Sequence, residues 1–128
     1  MIGVWIALDV GLLAAMSGLD SSIIVEGNRI FTEFNGSLTE QYVLQELLLS
    51  HEPYYYAKKN SQLEIDFLIQ ESGQIIPIEV KAEENLKARS LRQFVADNES
   101  ETAYRVSMSN YREESWLTNL PLYAVETL

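Results

Sequence analysis

The chain has 128 residues, 47% of them hydrophobic and 22% charged, the composition of one globular domain able to bury a core of its own. It contains no cysteine, which excludes a disulfide framework, a zinc–thiolate site and a cysteine nucleophile. Nineteen acidic residues against nine basic ones give a net charge of −10, which argues against a protein that grips phosphates through a broad basic face.

The first residues, Met1 to Asp9, are apolar, and the apolar character runs on to Met16. No basic segment leads it, and it is shorter than the roughly 20 apolar residues that span a bilayer. A buried strand followed by a short helix is expected, with no membrane insertion. So apolar a start needs a cover, so residues 1–30 read as a strand/helix segment left from a larger chain and residues 31–128 as the domain proper. A cysteine-free chain of this kind fits the cytoplasm. Residues 17–36 carry scattered Ser, Gly, Asn and Asp and read as irregular.

From Leu38 to Ser50 the apolar positions Leu38, Val43, Leu44, Leu47 and Leu48 form a helical stripe, with Asn35, Gly36 or Ser37 available as the cap. Tyr54 to Ala57 reads as a strand. Two further strands, Leu63 to Ile69 and Ile75 to Lys81, flank Ser72-Gly73, a tight-turn pair. With those two residues as the turn, opposed positions sum to 145, so Asp66 faces Glu79 and Glu64 faces Lys81. Ile65, Phe67, Ile69, Ile76, Ile78 and Val80 make the other, apolar face. A bulge at Gly73 would slip this register and part the acids.

Downstream, Asn85 caps a helix over Leu86 to Ala96, with Ala88, Leu91, Phe94 and Val95 turned inward. Ala103 to Met108 and Pro121 to Val125 read as strands. The order is helix, three strands, helix, strand, with one more strand at the end. The fold class is α/β, a mixed sheet flanked by helices. No internal repeat or low-complexity tract interrupts it.

The charged face of the central hairpin carries the chemistry. Two opposed carboxylates repel unless a cation sits between them. Asp66 and Glu79 are hard oxygen ligands of the kind Mg²⁺ takes, with Mn²⁺ as a substitute. Lys81, two residues from Glu79 on the same face, is placed to orient a water or to stabilise developing charge. Glu40, near the start of the preceding helix, adds a fourth group if that end packs over the sheet. The plain alternative is a solvated charged surface, with Glu64 a salt-bridge partner of Lys81 and Glu40 a first-turn acid on the helix dipole. Leu68, Ile75 and Pro77 share the charged face, so that face is partly covered, and covered charges need partners. Lys87, Arg89 and Arg92 offer phosphate contacts or a solvated helix face. Tyr54, Tyr55 and Tyr56 offer base stacking, or core packing with Tyr55 in one layer and its neighbours in the other. His51, the only histidine, follows a helix end, so histidine-based catalysis has no support.

Asp66, Glu79-Val80-Lys81 and Glu40, in this order of elements, resemble the PD-(D/E)XK nuclease-like superfamily. The wider wording is similar to one branch of it, the C-terminal domain of unknown function attached to bacterial and archaeal AAA+ ATPases. The similarity runs through Ala7-Leu8-Asp9-Val10-Gly11-Leu12-Leu13, Gly36-Ser37-Leu38-Thr39-Glu40, Glu64-Ile65-Asp66-Phe67-Leu68-Ile69 and Pro77-Ile78-Glu79-Val80-Lys81-Ala82. It continues through Ser90-Leu91, Arg105-Val106-Ser107 and Asn119-Leu120-Pro121-Leu122-Tyr123, and so covers nearly all of the chain. The resemblance implies a restriction-endonuclease-like αβββαβ core. It further implies Asp66 and Glu79 as metal ligands, Lys81 as the catalytic lysine, Glu40 as the helix acid and a linked N-terminal ATPase domain as partner. The superfamily's usual proline before the first acid is absent near Asp66. No G-x-x-x-x-G-K-[ST] element occurs in this chain, so ATP hydrolysis by that route is not expected from it.

Two functions follow as expectations. One is Mg²⁺-dependent phosphodiester hydrolysis of DNA or RNA. The other is a catalytically silent module that docks on, or regulates, the linked ATPase domain.

Overall fold

The computed structural model describes residues 29–82 and 88–128. The segment expected as the N-terminal strand and short helix, and Asn85 and Lys87, lie outside them. Helix α1 (Arg29–Leu47) is followed by strands β1 (Tyr54–Ala57), β2 (Glu64–Glu71) and β3 (Gln74–Lys81). Helix α2 (Arg89–Asn98), strands β4 (Tyr104–Ser107), β5 (Arg112–Glu113) and β6 (Thr118–Pro121), and a 3₁₀ helix (Leu122–Thr127) complete the order. The described residues form one six-stranded sheet in the order β1-β2-β3-β4-β6-β5. β1, β2 and β3 are antiparallel neighbours, β3, β4 and β6 run parallel, and β5 returns antiparallel at the far edge. The expected mixed sheet flanked by helices is the architecture found.

The Ser72-Gly73 turn forms because both residues take left-handed backbone, φ 51° and 78°, which a two-residue hairpin of right-handed twist demands. Glu71 pairs Gln74, and the register runs unbroken to Phe67 opposite Ile78, each pair summing to 145. No slip occurs at Gly73.

Among the described residues each face of the sheet is covered by one α-helix. On one side Val43 and Leu47 of α1 pack on Ile69, Ile76, Ile78, Val80, Val106 and Leu120, and the 3₁₀ helix adds Val125. On the other, Leu91 and Phe94 of α2 join Leu63, Ile65, Ala103 and Leu117, with Ala88, Val95 and Leu68 packed alongside. Each such aliphatic side chain, once fully buried, contributes roughly 1.5–3 kcal/mol. The inward face expected for α2 is the face it buries.

Four element boundaries differ from expectation. Helix α1 begins at Arg29, so Asn35, Gly36 and Ser37 lie inside it rather than capping it. A mid-helix Gly costs only about 1 kcal/mol, less than the packing of the next two turns returns. Helix α2 starts at Arg89, with Ala88 at the N-cap and no side-chain cap bond, and the expected cap Asn85 lies outside the described residues. It ends on Glu99 in the left-handed region, whose N–H reaches the Val95 carbonyl. The last strand is Thr118–Pro121, earlier than Pro121 to Val125, because the chain tightens into the 3₁₀ helix to sink Val125 against α1. The two-residue β5 carries no apolar pattern and was not expected.

Candidate functional site

A bulge in β2 places the first acid. Tyr54 of β1 pairs with Leu68, but the next pair is Tyr56 with Ile65, so β2 holds one residue more than its partner. The extra residue turns the strand between Ile65 and Phe67. Ile65 consequently joins the α2 core, whereas Phe67 and Ile69 pack with the α1 core, and the expected single apolar face is divided. The β2–β3 pairs end at Phe67–Ile78. One step beyond, the Asp66 side chain takes over the ladder: its Oδ2 accepts the Val80 N–H at 2.7 Å. That bond fixes the Asp66 carboxylate one peptide unit from Glu79.

Glu79 lies between Ile78 and Val80, both of which face α1, so strand alternation turns it to the α2 side. It is 7% exposed. Its Oε1 receives Lys81 Nζ at 3.2 Å, while its Oε2 is buried with no hydrogen-bond partner. Glu64 pairs with Ala57 of β1, and on its other side the β2–β3 register stops at Phe67–Ile78, short of the expected Asp66–Glu79 and Glu64–Lys81 pairs. The ion pair expected for Lys81 with Glu64 is therefore made with Glu79.

The electrostatics follow from this crowding. Burial holds the Asp66 carboxyl above the usual range, against the pull of the Val80 N–H and Lys81, and the Glu64 charge adds to the rise. Burial also raises Glu79, opposed by Lys81 and then by Arg105, with the Asp66 charge pushing upward. Glu40 reaches the same neighbourhood from α1. Although the residue is open to solvent, burial of its carboxyl and the Asp66 charge push it up to about 7. An unpartnered buried carboxylate oxygen costs on the order of 1–3 kcal/mol, so Glu79 Oε2 calls for a proton or a cation. The two carboxylates of Asp66 and Glu79 are hard oxygen donors of the kind Mg²⁺ accepts alongside waters. Among the described residues no group of three or more His, Cys, Asp or Glu side chains is arranged to hold a metal ion. Any such ion would rest on Asp66 and Glu79 alone, with Glu40 outside its shell.

Arg105 was missed. Pairing aligns Glu79, Arg105 and Asn119 across β3, β4 and β6. Arg105 is 2% exposed; its Nε donates to Asn119 Oδ1 at 3.0 Å, and its guanidinium reaches Glu114 at 3.3 Å. Ser107 Oγ donates to the same Asn119 oxygen at 2.8 Å, and Asn119 Nδ2 holds the Asn110 carbonyl at 2.9 Å. The signal was available in Tyr104-Arg105-Val106, a cation in the middle of an apolar strand. A buried guanidinium must be met by acceptors, so this row was predictable in kind though not in partners.

Other expected contacts are redirected. Arg92 stacks over the Trp116 ring at 5.3 Å. Tyr56 meets Phe94 edge-on, with centroids 5.1 Å apart, but Tyr54 and Tyr55 are exposed, so Tyr55 is not a core residue. Among the described residues β1 is an outer strand of the sheet.

Fold and centre together define an α/β sandwich domain with a buried acid–lysine pair where two strands part. The chain belongs to the family described as a domain of unknown function, DUF4143, whose model matches residues 35–124 and so contains Glu40, Asp66, Glu79, Lys81, Arg105 and Asn119. No curated protein and no solved structure matches it.

Proposed function

We propose that this domain is a divalent-cation-dependent phosphodiesterase of PD-(D/E)XK type that hydrolyses nucleic acid and works beside an AAA+ ATPase module in its parent protein. The observation that carries this reading is the buried, unpartnered Oε2 of Glu79, whose other oxygen meets Lys81 and whose neighbour Val80 anchors Asp66. Asp66 and Glu79 would hold Mg²⁺ or Mn²⁺. When bound, such an ion supplies polarisation of the phosphate and a more acidic water. Lys81 Nζ, held by Glu79, is placed to stabilise negative charge on the phosphate oxygens as the P–O ester bond breaks. Glu40, titrating near neutrality, is suited to exchange a proton with water near Asp66.

Calorimetric titration with Mg²⁺ and with Mn²⁺ tests the first step: wild type should release or absorb heat and Glu79→Gln should not. Cleavage of DNA or RNA should then fall at least about 100-fold in Asp66→Ala and in Lys81→Ala. Equal cleavage by wild type and both variants would remove the reading.

A second reading, a silent module docked on the ATPase, draws on one separate feature. Leu48, Leu49 and Tyr123 are exposed at the end of α1 and on the 3₁₀ helix that contacts it. Co-purification with the cognate ATPase, lost in Leu49→Asp, supports that reading, whereas an unchanged interaction removes this surface from it.

A further inference from the structure

Tyr55 lies between Tyr54, paired with Leu68, and Tyr56, paired with Ile65, and is therefore opposite the bulge that carries Asp66. Because Tyr56 turns toward Phe94 of α2, alternation turns Tyr55 to the other side of the strand, the side from which Glu40 approaches. Its hydroxyl is engaged by Glu64, and its ring is 65% exposed, with Tyr54 exposed beside it. This outer strand of the described sheet thus presents the Tyr55 ring beside Asp66, on the side of Glu40 and across the sheet from the Glu79–Lys81 pair.

Five of the described cations are engaged elsewhere, and Lys59 and Arg89 stand exposed on the surface. Lys58 pairs with Asp97, Lys81 with Glu79, Arg105 and Arg112 both with Glu114, and Arg92 covers Trp116. With a net charge of −10 besides, the protein is poorly equipped to hold a duplex, whose non-specific binding comes almost wholly from phosphate neutralisation. A duplex also hides its base faces. A single strand exposes them, and stacking on tyrosine needs no positive charge.

Building on the hydrolytic reading above, we propose that the substrate is single-stranded nucleic acid, gripped by stacking of a base on Tyr55 beside Asp66 rather than chiefly by its phosphates. Three properties follow. Binding favours single strands over duplex of the same sequence. It tolerates salt better than phosphate-driven binding, with a shallow dependence of affinity on ionic strength. It requires a divalent cation, because Glu40, Glu64 and Asp66 otherwise repel the backbone.

The test uses fluorescently labelled 12-mers of DNA and of RNA, single-stranded and duplex. Binding is read by anisotropy in Ca²⁺, and cleavage is followed in Mg²⁺. The DNA and RNA arms distinguish the two sources of the same base chemistry. Tyr55→Ala should weaken single-strand binding roughly 5- to 100-fold, and Tyr55→Phe, which keeps the ring, should bind like wild type. The position is exposed, so unchanged melting temperatures are expected for both variants. Duplex bound as tightly as single strand, or Tyr55→Phe as weak as Tyr55→Ala, overturns the stacking inference. Cleavage that needs Asp66 and Lys81 but ignores strandedness and Tyr55 overturns it while leaving hydrolysis standing. Tyr55-dependent single-strand binding with no Asp66-dependent cleavage does the reverse, keeping the ligand class and removing the reaction. Absence of any binding and any cleavage removes both.

Discussion

Glu40 couples the centre to folding through its proton. Its carboxyl titrates at about 7 in the folded chain and at 4.5 when exposed, so between those values the native state binds more protons than the unfolded one. Stability must therefore fall as pH rises through that window, the opposite of an acid held in a salt bridge. Asp66 and Glu79, also raised by burial, act with the same sign, while Glu114, lowered first by its bond to Arg112, acts against them. Thermal melts at pH 5 and pH 8 should show a smaller alkaline loss in Glu40→Gln than in wild type. An identical loss in both would mean that the carboxyl is solvated as an ordinary surface acid. Asp66, Glu79 and Lys81 were legible because acids and a lysine interrupt strands that are otherwise apolar. Arg105 stood out as plainly, but its partners lie 9 and 14 residues away in sequence, and no local pattern joins them.

Two glycines separate what an element needs from what it tolerates. Gly73 takes φ +78° in the hairpin turn, a conformation strained for any side chain, so Gly73→Ala should cost about 1 kcal/mol by urea denaturation. Gly36 lies inside α1 with open space where a Cβ would stand, and Gly36→Ala should stabilise by roughly 0.5–1 kcal/mol. The turn was readable because Ser-Gly supplies two successive left-handed positions. The start of α1 was not, since Asn-Gly-Ser is as good a cap as a helix interior is a poor home for it, and packing further along the helix decided the matter. The bulge was hidden for a different reason. Ile65 and Phe67 are both apolar, and a sheet with a core on each side accepts either residue on either face.

On the scale of the molecule, the polar row Glu79–Arg105–Asn119 crosses three parallel strands on the face covered by α2. Removing the buried guanidinium leaves a cavity and takes one donor each from Asn119, which keeps Ser107, and Glu114, which keeps Arg112, so Arg105→Ala should cost about 3 kcal/mol. Arg112 meets the same Glu114 at the surface, and Arg112→Ala should cost no more than about 1 kcal/mol. Chemical denaturation of the two variants checks the contrast. The α/β class and the succession of helix, three strands, helix and strand were legible from periodicity. The final strand was misplaced because Leu120 to Val125 is apolar without a period, and only contact with α1 selects a 3₁₀ turn over an extended chain.

The irregularity of β2 has a bearing on how this centre tolerates change. Excising Phe67 would restore one-to-one pairing between the first two strands and yield a more uniform ribbon, yet it would swing Asp66 off the Val80 amide. A domain smoothed for sturdiness in that way would keep its architecture and lose the aim of its first acid. The extra residue of β2 and the aim of the Asp66 carboxylate are thus one feature, gained or lost together.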